Sequence, residues 1–205
     1  MSDFDDLVRK INLCTKCVLS KGRTWAVPGE GSSSADIMFI GEGPGSNEDR
    51  EGRPFIGRAG NILTDLLFGI GLRREDVFIT NMVKCRPPGN RDPAPEELQA
   101  CSGFMDAQIS LIQPKVIVTL GRFSFGKFFP GEVISKARGK PRQWLDLTVY
   151  PMYHPAAVLY NPKLRSVLEH DFGRLPELIE KTITQSEPEQ PKVQESVKAQ
   201  QMTLL

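Results

Sequence analysis

Histidine is scarce in this chain, with two in 205 residues, and neither sign of charge dominates: 26 lysines and arginines face 25 aspartates and glutamates. The resulting net charge of +1 excludes a global basic field, so a nucleic-acid partner has to be met by a local patch. No apolar run approaches the roughly 18–20 residues that span a bilayer, and no membrane segment is expected. The opening MSDFDDLVRK is acidic and amphipathic, unlike a secretory signal, which points to the cytoplasm. No internal repeat is visible. What remains is ordinary for one compact, soluble, monomeric domain: 40% hydrophobic and 25% charged residues.

Short apolar runs closed by glycine mark buried parallel strands, at Ile37–Ile40 and Val116–Leu120. Val77–Thr80 and Leu147–Met152 supply two more. Between them, Leu7, Val8 and Ile11 lie at helical spacing, as do Ile62, Leu63, Leu66 and Leu67. Pro95 followed by Glu96 and Glu97 opens a helix running to Ile112, because a proline needs no N–H in a first turn and acids favour its positive end. A last long helix is expected over 164–183. This alternation predicts a three-layer α/β/α domain around a mostly parallel four-stranded sheet. Ligands of such sheets bind beyond the carboxyl ends of the strands. From about residue 184 onward the composition turns to Gln, Glu, Pro, Lys and Ser, as in a disordered tail, so the domain is placed at 1–183 and the tail at 184–205.

Four cysteines, Cys14, Cys17, Cys85 and Cys101, suggest a metal site before disulfides in a reducing compartment. Four thiolates suit tetrahedral zinc or an iron–sulfur cluster about equally on ligand chemistry. Zinc ribbons usually carry CxxC twice, and the wide Cys85/Cys101 spacing favours the cluster. Four unrelated buried cysteines are the third reading.

Five motifs then appear in register: Gly41-Glu42-Gly43-Pro44-Gly45, Gly52-Arg53-Pro54-Phe55-Ile56-Gly57, Asn81-x2-Lys84-Cys85-Arg86-Pro87-Pro88, the four cysteines, and His154-Pro155-Ala156. Together they resemble the family-4 uracil-DNA glycosylases, and the likeness covers roughly residues 10–175. The resemblance implies excision of uracil from DNA by a monofunctional hydrolase, a base flipped into a pocket, and a [4Fe-4S] cluster on Cys14, Cys17, Cys85 and Cys101. It also implies residue roles. Backbone groups of Gly41, Glu42 and Gly43 contact uracil; Glu42 handles the attacking water; Phe55 stacks on the base. Asn81 reads N3–H and O4, and His154 faces O2, where charge builds up on departure. Other branches of the superfamily carry a water-activating side chain where this chain has Gly43, so the general base stays open.

Each motif has a plainer alternative. The glycine loop resembles a phosphate turn, yet lacks the Lys-Ser/Thr of a P-loop and carries an acid. Phe55 is read alternatively as a core anchor, Asn81 as a turn cap and His154 as a packed ring. Glu48 or Asp49 is expected near uracil C5, where it would exclude the thymine methyl, unless both merely sit on an exposed loop. His170 matches no motif. Lys84, Arg86, Lys136, Arg138 and Lys140 are expected to meet DNA phosphates, with ordinary solvated charge as the alternative. The related covalent uracil-binding branch holds a histidine in its basic loop, whereas 135–142 has none. The rim sequence Ala156–Tyr160 would supply an apolar wedge. The final Gln201-Met202-Thr203-Leu204-Leu205 resembles a sliding-clamp-binding pentapeptide. Alternative functions are removal of other deaminated bases, a non-catalytic iron–sulfur nucleic-acid module, and a zinc-stabilised nucleotide-binding domain.

Overall fold

A computed structural model describes residues 2–186 of the chain. Residues 184–186 of the expected 184–205 tail are helical, and the rest of it, with its 201–205 motif, lies outside the described residues. Among the described residues six strands form one sheet: β1 (Glu30–Gly31), β2 (Ile37–Gly41), β3 (Phe78–Asn81), β4 (Val116–Leu120), β5 (Arg142–Trp144) and β6 (Leu147–Met152), in the order β1-β3-β2-β4-β6-β5. The four inner strands are parallel and the two edges antiparallel. The architecture is the α/β sandwich read from the sequence, but the sheet has six strands where four were expected. The extra two are only two and three residues long and incompletely buried, so they carry no apolar run to betray them.

Helices cover both faces: α1 (Asp3–Asn12), α2 (Ser46–Glu51), α3 (Arg58–Gly69), α4 (Pro95–Ile112), α5 (Arg122–Phe128), α6 (Ile134–Ala137), α7 (Ala157–Tyr160), α8 (Leu164–Gly173) and α9 (Leu175–Ser186). In β2 every residue is buried, and the strand's alternation sends Ile37 and Phe39 into one core and Met38 and Ile40 into the other. The first core packs β2, β3, β4 and β6 against α3 and α8, with Leu63, Leu67, Leu168 and Phe172 fully covered. The second meets α4 and α5 through Met105, Ile112 and Phe128. Burying each such side chain contributes about 1.5–3 kcal/mol.

The single helix expected over 164–183 is two. Pro176 has no N–H to give the Phe172 carbonyl, so the chain breaks at Arg174 and restarts as α9. Helices α2, α5, α6 and α7 are also absent from the sequence reading; each has at most seven residues, too short for an apolar stripe. No helix among the described residues is long and apolar enough to cross a membrane.

A third cluster lies beside the sheet. Leu7 and Ile11 of α1 pack with Phe104 of α4, Leu19, Ala26 and Val83, and all four cysteines join them. The loop leaving β3 therefore runs from the sheet's carboxyl edge directly into the cysteine cluster.

Candidate active site

The carboxyl ends of β2 and β3 and the loop after β6 enclose a cavity of about 610 Å³. Its walls come from Glu42 to Glu48, Phe55, Asn81, the 87–92 loop and His154, with Leu159 and Tyr160 at the rim. Phe55, Asn81 and His154, far apart in sequence, thus share one pocket. The rings of Phe55 and His154 stack with centroids 5.5 Å apart and planes 27° from parallel.

Gly41 explains how closely these groups converge. A Cβ there would lie 2.4 Å from Asn81 Oδ1 and 2.5 Å from Phe55 Cζ. No side chain larger than hydrogen fits between the amide and the ring. Asn81 is 1% exposed, and its Oδ1 is a buried acceptor without a protein hydrogen-bond partner. Leaving such an atom unpaired costs about 1–3 kcal/mol, and because Asn81 lines the cavity its oxygen is placed to accept from a bound base.

Phe55 is held in an unfavourable backbone state, φ 51°, by charges the sequence reading did not connect to it. Arg74 donates to the Phe55 carbonyl at 2.9 Å and the Pro54 carbonyl at 2.6 Å, and pairs with Glu30. On the other side, Glu48 Oε1 accepts from the N–H groups of Ile56 and Gly57 at 2.9 and 2.8 Å. Gly60 of α3 lies so near that a Cβ would come within 1.9 Å of the Phe55 carbonyl oxygen. Of the expected pair of acids, Glu48 lines the cavity. Asp49 instead accepts from the N–H and hydroxyl of Thr24 at 3.0 and 2.9 Å.

His154 Nδ1 accepts from the backbone N–H of Ala156 at 3.1 Å, which leaves the neutral ring to carry its proton on Nε2. Burial pulls its pKa down from 6.5 to about 4, against a smaller opposing pull from Glu48. At neutral pH the ring is an uncharged donor. Glu42 is half-buried, and burial raises its carboxyl above 4.5, with Asp92 adding to the rise and Arg122 opposing it. Its backbone carbonyl accepts from Val83 N–H at 3.1 Å, as Gly41's does from Met82 N–H, so this loop is tied to the β3 exit.

Two of the expected phosphate contacts, Lys84 and Arg138, take other work. Lys84 is 1% exposed and directs its ammonium inward, so it cannot reach DNA. Its Nζ lies 2.7 Å from Thr80 Oγ1, 2.7 Å from the Asn81 carbonyl and 2.6 Å from Gln108 Oε1. Burial draws its pKa to about 7, opposed by Cys101. Arg138 is committed to the buried Asp171 at 2.8 and 2.9 Å and lies over the Tyr153 ring. Arg86 binds Asn90 at 2.8 Å. Lys136 and Lys140 are exposed on the 134–140 segment, while Arg58, unremarked in the sequence reading, is exposed on the cavity rim. His170 sits on the exposed face of α8.

No disulfide joins the four cysteines. Arg23 Nη1 donates to Cys85 Sγ at 3.0 Å, Lys84 N–H to Cys101 Sγ at 3.4 Å, and Lys16 N–H to Cys14 Sγ at 3.5 Å. Burial pushes the Cys85 and Cys101 thiols up, against opposing pulls from Arg23 and Lys84 respectively, and the neighbouring sulfurs add a smaller rise. Four thiols gathered in one cluster, three of them receiving an N–H donor, fit a group that takes thiolate ligands and brings positive charge. Among the described residues, no group of three or more His, Cys, Asp or Glu side chains is arranged to hold a single metal ion.

Comparison with known proteins agrees with this geometry. The family described as the uracil DNA glycosylase superfamily matches residues 28–173. A type-4 uracil-DNA glycosylase of Sulfurisphaera tokodaii is 52% identical over 188 residues, covering 87% of this chain and 86% of that protein. Type-4 enzymes of Saccharolobus solfataricus and Archaeoglobus fulgidus are 52% and 49% identical, each over 87% of this chain and over 88% and 94% of their own lengths.

Proposed function

The chain belongs to the uracil DNA glycosylase superfamily, and from that premise we propose how its pocket carries out the reaction. The protein is a DNA glycosylase that hydrolyses the N-glycosidic bond of uracil in DNA, a step of DNA repair. The observation that carries the residue assignment is the convergence of Phe55, the orphaned Asn81 amide oxygen and the neutral His154 on one cavity.

Uracil leaves the helix and enters this cavity, which costs a few kcal/mol of unstacking. Its face lies on Phe55, a contact contributing about 1–3 kcal/mol. Asn81 Oδ1 accepts from N3–H, while the amide nitrogen donates to O4. Cytosine presents the reverse pattern and leaves buried groups unpaired. Glu48, braced by two backbone N–H groups, stands where the 5-methyl of thymine would press.

As the glycosidic bond breaks, negative charge spreads over the uracil carbonyls. His154 Nε2–H donates to O2 and stabilises it without transferring a proton. The sugar becomes oxocarbenium-like, and Glu42 holds the water that attacks it and accepts its proton, which then passes through solvent to the released uracil anion. Gly41 and Gly43 line the base with backbone alone. Arg58, Lys136 and Lys140 meet phosphates, and Leu159 and Tyr160 fill the space the base vacates.

Cys14, Cys17, Cys85 and Cys101 would hold a [4Fe-4S] cluster, which supplies a structural cross-link between α1, the β3 exit and α4. We assign the catalytic domain to residues 1–186, through the end of α9, and a tail to 187–205, whose final pentapeptide binds a sliding clamp; the protein works as a cytoplasmic monomer. The direct test incubates the purified protein with a labelled oligonucleotide containing one uracil, followed by alkali. Cleavage at the uracil, strongly slowed but still measurable in Asn81→Ala and His154→Ala, supports the assignment. Cleavage untouched by either substitution overturns it.

A further inference from the structure

Between the amide that reads the base and the cysteines that follow it stands a cation buried without a carboxylate. Lys84 is 1% exposed, and its three hydrogen-bond partners are all neutral oxygens: Thr80 Oγ1, the Asn81 carbonyl and Gln108 Oε1. Three acceptors require three N–H donors, which an ammonium has and a neutral amine lacks. Burying a charge against uncharged partners is expensive, and a fold retains such a group only where its geometry does something an apolar side chain cannot.

The geometry identifies what that is. Thr80 and Gln108 both turn to the Pro28 carbonyl, at 3.0 and 2.6 Å, so the ammonium closes a network linking β3, α4 and the segment before β1. One of its bonds ends on the peptide of Asn81, the last residue of β3. Asn81 Oδ1 itself has no protein partner. No hydrogen bond to Oδ1 orients this amide, so beyond its packing against Gly41 and Phe55 its aim depends on how firmly its backbone is held. The backbone N–H of the same lysine donates to Cys101 Sγ, and its carbonyl accepts from Val27 N–H at 2.7 Å.

We propose that Lys84 is a positioning residue for base recognition: its ammonium, braced on Thr80 and Gln108, fixes the Asn81 peptide and thereby aims the amide that reads uracil. The inference rests on the assignment of Asn81 as that reader. It places the specificity of the pocket partly in a residue that touches neither base nor sugar.

A double-mutant cycle tests it, using the full-length protein and a uracil-containing oligonucleotide. Lys84→Met keeps the bulk of the side chain and removes all three bonds. In the Asn81 background it should lower kcat/KM about 10- to 100-fold, whereas in the Asn81→Ala background it should lower it less than about 3-fold, because only a coupled pair is non-additive. Free uracil, used as a product inhibitor, should also bind more weakly to Lys84→Met and be indifferent to the lysine once Asn81 is gone. Should Lys84→Met fail to fold, Thr80→Val, which removes one of the three acceptors, reads the same coupling at smaller amplitude. Equal losses in both backgrounds, by whichever variant folds, overturn the proposal. An Asn81→Ala protein with undiminished uracil release sinks instead the assignment of Asn81, a separate and distinguishable outcome.

Discussion

The backbone N–H of Ala156 donates to Nδ1 of His154 across 3.1 Å. That bond settles which nitrogen bears the proton, and with a pKa near 4 the ring enters catalysis neutral. His154→Ala should lower kcat about 100- to 1,000-fold, the usual loss for one donor aimed at developing negative charge. Single-turnover rates on uracil-containing DNA check this.

The same depressed pKa predicts an acid sensitivity. An unfolded histidine protonates below about pH 6.5, while the folded one waits until about 4. Between these values the unfolded state binds more protons, so stability falls as pH falls through that window. Replacing His154 with Gln should flatten the dependence of Tm on pH from 6.5 to 4. An unchanged slope would reject a neutral buried imidazole.

Glu42 titrates above the ordinary carboxylate value, chiefly through burial. If its carboxylate holds the water, kcat declines as pH drops through that raised value. Glu42→Gln should lower kcat about 100- to 10,000-fold and abolish this acid limb. A variant that keeps the wild-type limb removes Glu42 from water activation.

Gly41→Ala puts a methyl group within 2.5 Å of both Asn81 Oδ1 and Phe55 Cζ. Overpacking of this kind costs about 1–3 kcal/mol, but here the strain falls on the base-reading groups. The expected result is a rise in KM and a fall in kcat out of proportion to the change in Tm. A drop in Tm alone would mean that the pocket tolerates the methyl.

Cys85→Ser or Cys101→Ser should remove the visible iron–thiolate absorption of the purified protein and lower its Tm, since the cysteines pack α1 against α4. Loss of colour with an unchanged Tm would argue against a structural cross-link. A colourless wild-type protein containing zinc would replace the cluster outright.

Much of this was legible along the chain. The inner strands announced themselves because a parallel strand covered on both faces is a continuous apolar run, as in Ile37–Ile40. Helix α4 began and ended where Pro95 and Ile112 indicated, its start set by a proline that lacks an N–H. The glycine loop, Phe55, Asn81, His154 and the four cysteines stood out through their resemblance to a known family's motifs, whereas the strand and helix signals came from the chain itself. These signals are local: backbone preference, periodicity and the chemistry of a side chain are properties of a few consecutive residues.

Direction and partnership were not. Lys84, between Asn81 and Arg86, reads in sequence as part of a basic patch; it points inward because Gln108, on a helix 24 residues away, supplies an acceptor. Glu48 and Asp49 are adjacent and chemically alike, and only the loop carrying Ile56 and Gly57 and the distant Thr24 turn one to the cavity and the other from it. The clamp of Arg74 on Phe55 spans 19 residues. Sequence alone determined which groups are present and on which elements; tertiary packing decided which charges face water and which face each other, because the energy of a buried charge depends on atoms brought near it only by the fold.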